Sequence, residues 1–377
     1  MAPRFRDMLS GARAVLGMAT GRWTFCGPRS VALAIADPCN TDCLMCWCHS
    51  PLLKRAATSG AEQTDARSHK RHFMDPAILE TIIRESQAMG AFRVVLCGDG
   101  EPTLHPDFDH FLQLTTELDM EPYVITNGLA VNHTRTELWA TQRAHFRFSI
   151  HAGDAETWLR VHPSGRAGQF ERLSDVIKQL AQAGTPHVST LNVIHKANYR
   201  GVRRMVEHAH ELGVREILFR PVRAEGALAQ VLLNPEEEAE LRRQLRDCMP
   251  LAQSLGIHTN AQDYLDSNLY VHSGVLRTTQ LYRKIPCYIG WMYAEFDLDG
   301  TWRPCLGSEI VMGRAGEQPL REIWSSPRYR AFRRQAITMP QHGELVAGCL
   351  CHKCVMNKYN INVYNLLHLR SLDYGAA

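Results

Sequence analysis

The sequence predicts an α/β fold: a partial, TIM-like (β/α)6 barrel followed by a small cysteine-rich α+β domain. Three observations predict it. Strand-like apolar runs alternate with helical patterns from about residue 30 to about residue 225. Gly184 and Gly213 follow two of the helical stretches, where C-terminal caps often sit. From Cys287 onward the texture changes to short strands, an Asp299-Gly300 turn and clustered cysteines. Six βα units are too few to close an eight-fold barrel, so an open sheet is expected.

Taken in order, the strand segments are Val31–Ala36, Arg93–Cys97, Tyr123–Thr126, Phe146–Ile150, Val188–Ile194 and Glu216–Phe219. Helical periodicity fills the gaps, as at Pro76–Met89, Phe108–Leu118, Glu171–Gln182 and Tyr199–Leu212. Strands alternating with helices of this length argue for a parallel sheet, with the functional groups gathered on the loops after the strands. Residues 1–29 read as an N-terminal extension, 30–225 as the barrel, 226–280 as a helical connection and 281–377 as the cysteine-rich domain. Residues 51–73 form a polar interruption, read either as a lid over the site or as a solvated insertion.

Composition excludes several classes. The 377 residues carry 42 basic and 39 acidic side chains, a net charge of +3, which gives no reason to expect nucleic acid as a partner. No stretch has the roughly 18 apolar residues of a membrane span, and the charged start does not read as a signal peptide. Twelve cysteines are too sparse for a disulfide scaffold, and their clustering suggests metal ligation in a reducing, cytoplasmic setting.

The cysteines carry the chemistry. Cys39, Cys43 and Cys46 stand as C-x3-C-x2-C directly after the first strand. Structural zinc sites use paired knuckles and four closed ligands. One unequal triplet instead suits a 4Fe–4S cluster with one iron left open for a small molecule. The Cys287, Cys305, Cys349, Cys351 and Cys354 group is a second constellation, for which a zinc ribbon is the simplest structural alternative.

These residues resemble the radical S-adenosylmethionine (radical SAM) superfamily. The triplet followed by Trp47 matches its signature, and Gly98-Asp99-Gly100-Glu101 looks like its glycine-rich SAM-binding segment, with Asp99 departing from the commoner glycine. Asn127, Ser149 and Asn198 end or follow later strands at positions familiar in the family. The resemblance implies SAM on the open iron, glycines that let carbonyls approach its ammonium, and Glu101 either receiving that ammonium or holding the loop. Asn127 and Ser149 would bond ribose or carboxylate oxygens; the alternatives are a plain turn and a strand-end hydroxyl. Cys97 is a candidate hydrogen donor or a buried inert thiol. His151, on the same face as Ser149, is a candidate base or a structural histidine.

The second cysteine set resembles the SPASM/Twitch extension. Five cysteines imply the shorter form with one auxiliary 4Fe–4S cluster, completed by Cys351 and Cys354 with Cys349 competing. An electron acceptor near the substrate favours two-electron oxidation of a small polar metabolite such as an aminocyclitol or sugar, reduced equivalents arriving from a flavodoxin- or ferredoxin-type donor. Only 38 residues precede Cys39, too few for a leader-binding module, which tilts the expectation away from a peptide. Peptide modification, epimerisation and a non-catalytic metal scaffold are the alternatives.

Overall fold

A computed structural model describes residues 5–53, 72–185, 187–266, 281–351, 354 and 356–369. The expected lid segment lies largely outside these residues. Ten strands form one sheet in the order β10-β9-β8-β1-β2-β3-β4-β5-β6-β7. The strands are β1 Ser30–Ala34, β2 Arg93–Cys97, β3 Glu121–Thr126, β4 His145–Ser149, β5 His187–Ile194, β6 Glu216–Pro221, β7 His258–Thr259, β8 Tyr293–Phe296, β9 Thr301–Arg303 and β10 Gly313–Arg314. All neighbours from β8 through β1 to β7 run parallel, and the sheet is not closed. This is the expected partial barrel. Two short strands extend it: β7 beyond β6, and β8 beside β1. The cysteine-rich region therefore continues the barrel sheet through β8, while β9 and β10 turn back antiparallel.

Local chemistry sets the helix starts. Asp75 caps the helix Pro76–Ala88, its carboxylate accepting from the Ala77 and Ile78 N–H groups, with Pro76 in the first turn. Asn234 and Glu237 form a reciprocal capping box ahead of Pro235–Ser254. The helices cover the outer face of the sheet, where Val31, Leu33, Val94, Leu96, Val124, Phe146 and Phe148 are fully buried. The opposite face lines a lumen. At its base Arg93 and His145 pair with Glu121, Arg147 pairs with Glu216, and both arginines lie over the Tyr123 ring. Burial alone would raise the Glu121 carboxyl, but His145 and Arg93 outweigh it and hold it near 2. This charged layer plugs the N-terminal end and leaves the C-terminal end for chemistry.

The C-terminal region is anchored by Arg333, fully buried, with Nε donating to the Gly290 carbonyl at 2.8 Å and the guanidinium 4.4 Å from the Trp324 and Tyr329 ring centres. Burial lowers its pKa to about 10. Among the described residues no helix is long and apolar enough to cross a membrane.

Candidate functional site

The triplet loop leaves the C-terminal end of β1. A turn from the Cys46 N–H to the Cys43 carbonyl, 3.0 Å, folds the two thiols together. The loop is tied to the segment after β4: the Leu44 N–H donates to the Val161 carbonyl at 2.9 Å, and Asp42 accepts from the Ser164 N–H and hydroxyl at 2.8 and 2.7 Å. Burial pushes the Cys39 thiol up to about 12 and the Cys43 thiol well above its usual range, and the neighbouring sulfurs add to both shifts. Donors nevertheless converge on the sulfurs. Cys46 accepts from the Cys48 and His49 N–H groups at 3.4 and 3.2 Å, and Asn127 Nδ2 lies 3.7 Å from Cys39 Sγ. Three half-buried thiols with N–H donors directed at their sulfurs are poor as free thiolates and well suited to iron.

The glycine segment packs onto this loop. The Gly100 N–H donates to the Ala36 carbonyl at 3.0 Å and the Glu101 N–H to that of Pro38 at 2.9 Å. A Cβ at Gly100 would stand 2.2 Å from the Asp37 oxygen, and one at Gly98 2.5 Å from the Ala36 oxygen. The lack of side chains at Gly98 and Gly100 lets the two backbones meet there. Glu101 is 2 % exposed. Its Oε1 accepts from the Thr103 hydroxyl at 2.5 Å, the Thr126 hydroxyl at 2.6 Å and the Thr103 N–H at 3.1 Å, and its Oε2 from the Asn127 N–H at 2.7 Å. It joins the loops after β2 and β3. Asn127 Nδ2 in turn donates to Asn40 Oδ1 at 2.8 Å, reaching the cysteine loop itself. Asp99 lies close enough to Cys46 and Cys97 to raise both.

Ser149 ends β4 opposite Leu191, half-buried. Trp47 is 65 % exposed at the mouth. Asn198 is buried, and its amide is committed internally: Nδ2 donates to the carbonyls of His151 and Val193, both at 2.9 Å, and Oδ1 accepts from the His195 N–H at 2.8 Å. His151 Nδ1 accepts from the Val193 N–H at 3.0 Å. Burial is the main force holding His151 well below, and His162 and His195 at about 4 against, the usual 6.5. Each ring binds its proton more weakly in the folded chain, so the unfolded chain protonates first. Stability should be whole above about pH 6.5 and fall toward pH 4, by about 1.4 kcal/mol per pH unit for each ring. Urea midpoints of metal-free protein measured across this range check it; a flat midpoint would mean that the rings are not held neutral.

The second cysteine set converges on one cavity, lined by Cys287, Cys305, Cys349, Cys351 and Cys354. Tyr282 Oη lies 2.9 Å from Cys354 Sγ, and the Met356 N–H donates to the same sulfur at 3.3 Å. Asn360 holds Tyr282 at 2.9 Å and the Tyr288 N–H at 2.7 Å. The Cys354 N–H reaches the Cys351 carbonyl at 3.3 Å, the same C-x2-C turn as in the first loop, whereas Cys349 lies in a β-bridge to Ser308 with the hydroxyl 3.2 Å from its sulfur. This donor set holds more than the four thiols that a closed cluster takes.

Strand β8 of the cysteine-rich region borders the lumen beside β1. Ala294 and Phe296 of β8 face the helix-packed core, so Tyr293 and Glu295 face inward. Burial pushes the Tyr293 phenol well above its usual range, with Glu295, Cys97 and Cys305 adding to the shift, and Cys97 is influenced most, after burial, by Glu295. No local pattern marks Tyr293 and Glu295, because their place depends on β8 docking beside β1.

An open α/β barrel with a three-thiol loop at its C-terminal edge and a second, closed thiol set beside it is the architecture of an iron–sulfur enzyme. Residues 34–209 match the radical SAM superfamily and residues 287–355 the iron–sulfur cluster-binding SPASM domain, so the chain carries a radical SAM domain followed by a SPASM domain. Its cofactors are those of the class: a 4Fe–4S cluster, SAM and auxiliary iron–sulfur. It is 26% identical over 299 residues to the PqqA peptide cyclase of Ruegeria pomeroyi, covering 76% of this chain and 72% of that one. It is 24% identical over 315 residues to the AdoMet-dependent heme synthase of Methanosarcina barkeri, covering 79% and 82%. In structure it resembles Streptococcus suis SuiB bound to the precursor peptide SuiA, with a TM-score of 0.61 at 16% identity over 89% of this chain and 73% of that one. It also resembles anSMEcpe with bound AdoMet, with a TM-score of 0.58 at 14% identity over 91% and 98%.

Proposed function

We propose that this enzyme removes two electrons and two hydrogens from a peptide substrate. The observation that carries the oxidative half is the second thiol set, in which Cys287, Cys305, Cys349, Cys351 and Cys354 line one cavity and supply enough ligands to close an electron-accepting cluster. The peptide half rests on the likeness to PqqA peptide cyclases across about three quarters of the chain. An aminocyclitol or sugar, expected from the sequence, finds no counterpart among the relatives named above.

Cys39, Cys43 and Cys46 hold the SAM-binding cluster in this reading, and Cys287, Cys305, Cys351 and Cys354 the auxiliary one. When bound, SAM and its cluster supply a 5′-deoxyadenosyl radical that takes one hydrogen atom from the substrate, and the auxiliary cluster supplies an electron acceptor. A flavodoxin- or ferredoxin-type protein is the reductant. The chain's residues do the rest. Asp42 and Ser164 fix the cysteine loop, Glu101 and Asn127 fix the glycine segment against it, and the layer of Arg93–Glu121 and Arg147–Glu216 pairs closes the lumen base. Asn127 and Ser149 present polar groups to SAM at the mouth, with Trp47 beside it. Glu295, on the inward face of β8, accepts the substrate proton. Cys97 remains in the lumen wall, its thiol donating to the Leu33 carbonyl at 3.5 Å.

The test presents the reconstituted enzyme with SAM and reductant, against panels of synthetic peptides and of aminocyclitols and sugars. The expected result is peptide-stimulated 5′-deoxyadenosine with a product lighter by two hydrogens. Glu295→Gln should keep 5′-deoxyadenosine formation and lose the oxidised product. Stimulation only by the small polyols overturns the peptide assignment. A peptide product of unchanged mass that gains solvent deuterium overturns oxidation in favour of epimerisation.

A further inference from the structure

We infer that His151 is a positioning residue for the first cluster, a fixed Nε2–H donor aimed at the Cys43 sulfur, rather than a base. The backbone supplies the first observation. His151 has φ +59°, a left-handed conformation that is uncommon outside glycine and costs roughly 1 kcal/mol. The conformation is held by the Asn198 amide on the His151 carbonyl at 2.9 Å. Such a backbone turns the ring back toward the cysteine loop instead of letting it follow the β4 direction.

The ring's tautomer follows from its bonds. Nδ1 accepts the Val193 N–H at 3.0 Å, and a neutral imidazole has one acceptor and one donor nitrogen, so Nε2 carries the proton. Taking up another proton would break the Val193 bond, which disqualifies the ring as a base in this geometry. A ring nitrogen of His151, a ring nitrogen of His162 and Cys43 Sγ all lie within 4.8 Å of one another. His162 Nδ1 is 2.9 Å from the Trp158 carbonyl, which can only accept. Its Nε2 is therefore a lone pair, and of the two rings beside Cys43 only His151 has a proton to give.

The inference also completes a pattern. Cys46 already receives two backbone N–H groups, and Cys39 has the Asn127 amide. The donor from His151 gives Cys43 its share. An N–H to a cluster sulfur stabilises the reduced, more negative state, and so raises the reduction potential. The effect requires no substrate, so it stands or falls independently of the peptide proposal.

His151→Asn is the informative variant. Asparagine adopts the left-handed region readily and its Oδ1 can take the Val193 N–H, but it lacks a group at the Nε2 position. His151→Gln restores an N–H near that position. The experiment is an EPR-monitored redox titration of the cluster whose signal shifts on SAM addition, together with pulsed EPR on enzyme labelled with 15N in the histidine rings. The expected result is a lower midpoint potential and a diminished 15N coupling in His151→Asn, the remainder being that of His162, with the potential recovering toward wild type in His151→Gln. An unchanged potential in His151→Asn, a coupling as large as in wild type, or equal shifts in both variants would overturn the assignment. Loss of the cluster from both variants would also overturn it, in favour of a purely structural role.

Discussion

Replacing Cys39, Cys43 and Cys46 together with alanine is expected to bring 5′-deoxyadenosine formation down to the reagent blank while about four irons per chain remain as one 4Fe–4S cluster. The two thiol sets are held by separate frameworks. The first rests on Asp42, Glu101 and Asn127, and the second on Tyr282, Ser308 and Asn360. Among the described residues, none of the hydrogen bonds of the second framework involves the triplet. Iron and labile sulfide analysis with Mössbauer spectra reads the result. Adding Cys354→Ser should remove the remaining iron, because Cys354 receives both the Tyr282 hydroxyl and the Met356 N–H. Cys349→Ser should spare it, because the C-x2-C turn gathers Cys351 and Cys354. Zinc, or no metal, in the triple variant would remove the electron acceptor from the proposed reaction and leave redox-neutral radical chemistry as the better account.

The second large effect is expected at Glu101. Its carboxylate is buried and accepts from two threonine hydroxyls and two backbone N–H groups. Burial pushes its pKa up, against the pull of these four donors. Glu101→Ala would leave all four without an acceptor. The hydroxyls can rotate to other partners; the Thr103 and Asn127 N–H groups cannot. A buried donor left unsatisfied costs about 1–3 kcal/mol, so two of them predict a loss of roughly 2–6 kcal/mol in urea unfolding. Glu101→Gln should cost less, since one oxygen remains, but its NH2 group then confronts N–H or O–H donors. Both variants loosen Asn127 from Asn40 and the cysteine loop, so SAM affinity should fall with stability. A Glu101→Ala protein with wild-type unfolding midpoint and SAM affinity would refute this reading of the carboxylate.

Much of the barrel could be read from the chain. The Arg93–Cys97 strand was placed to the residue, and the other five to within two residues at each end, because alternating and continuous apolar runs mark strands whose outer face meets helices. The 199–212 helix proved to be a short 3-10 turn, Tyr199–Gly201, followed by Val202–Glu211. The helices Phe5–Thr20, His133–Ala140 and Ala155–Val161 went unread. His133–Ala140 has few apolar residues to show a period, and Ala155–Val161 is barely two turns. The first is announced only by Asn132, whose side chain caps it by accepting the Arg135 N–H at 2.9 Å.

The sequence by itself determined the enzyme class, because three cysteines at a set spacing after a strand define an open-iron site wherever that strand lies. It also determined the glycine segment and the five later cysteines, whose chemistry is carried by residue type and order. Only the tertiary structure decided what the individual side chains do there. Whether Glu101 meets a ligand or four protein donors depends on β3 lying beside β2. Whether His151 is a base or a donor depends on Val193 and Asn198, which are more than forty positions away in the chain and adjacent across β4 and β5. Glu295 and Tyr293 face the lumen only because β8 pairs with β1 across more than 250 residues of sequence. Local pattern encodes local backbone; hydrogen-bond partners and charge neighbours arise from long-range pairing, which no short motif records.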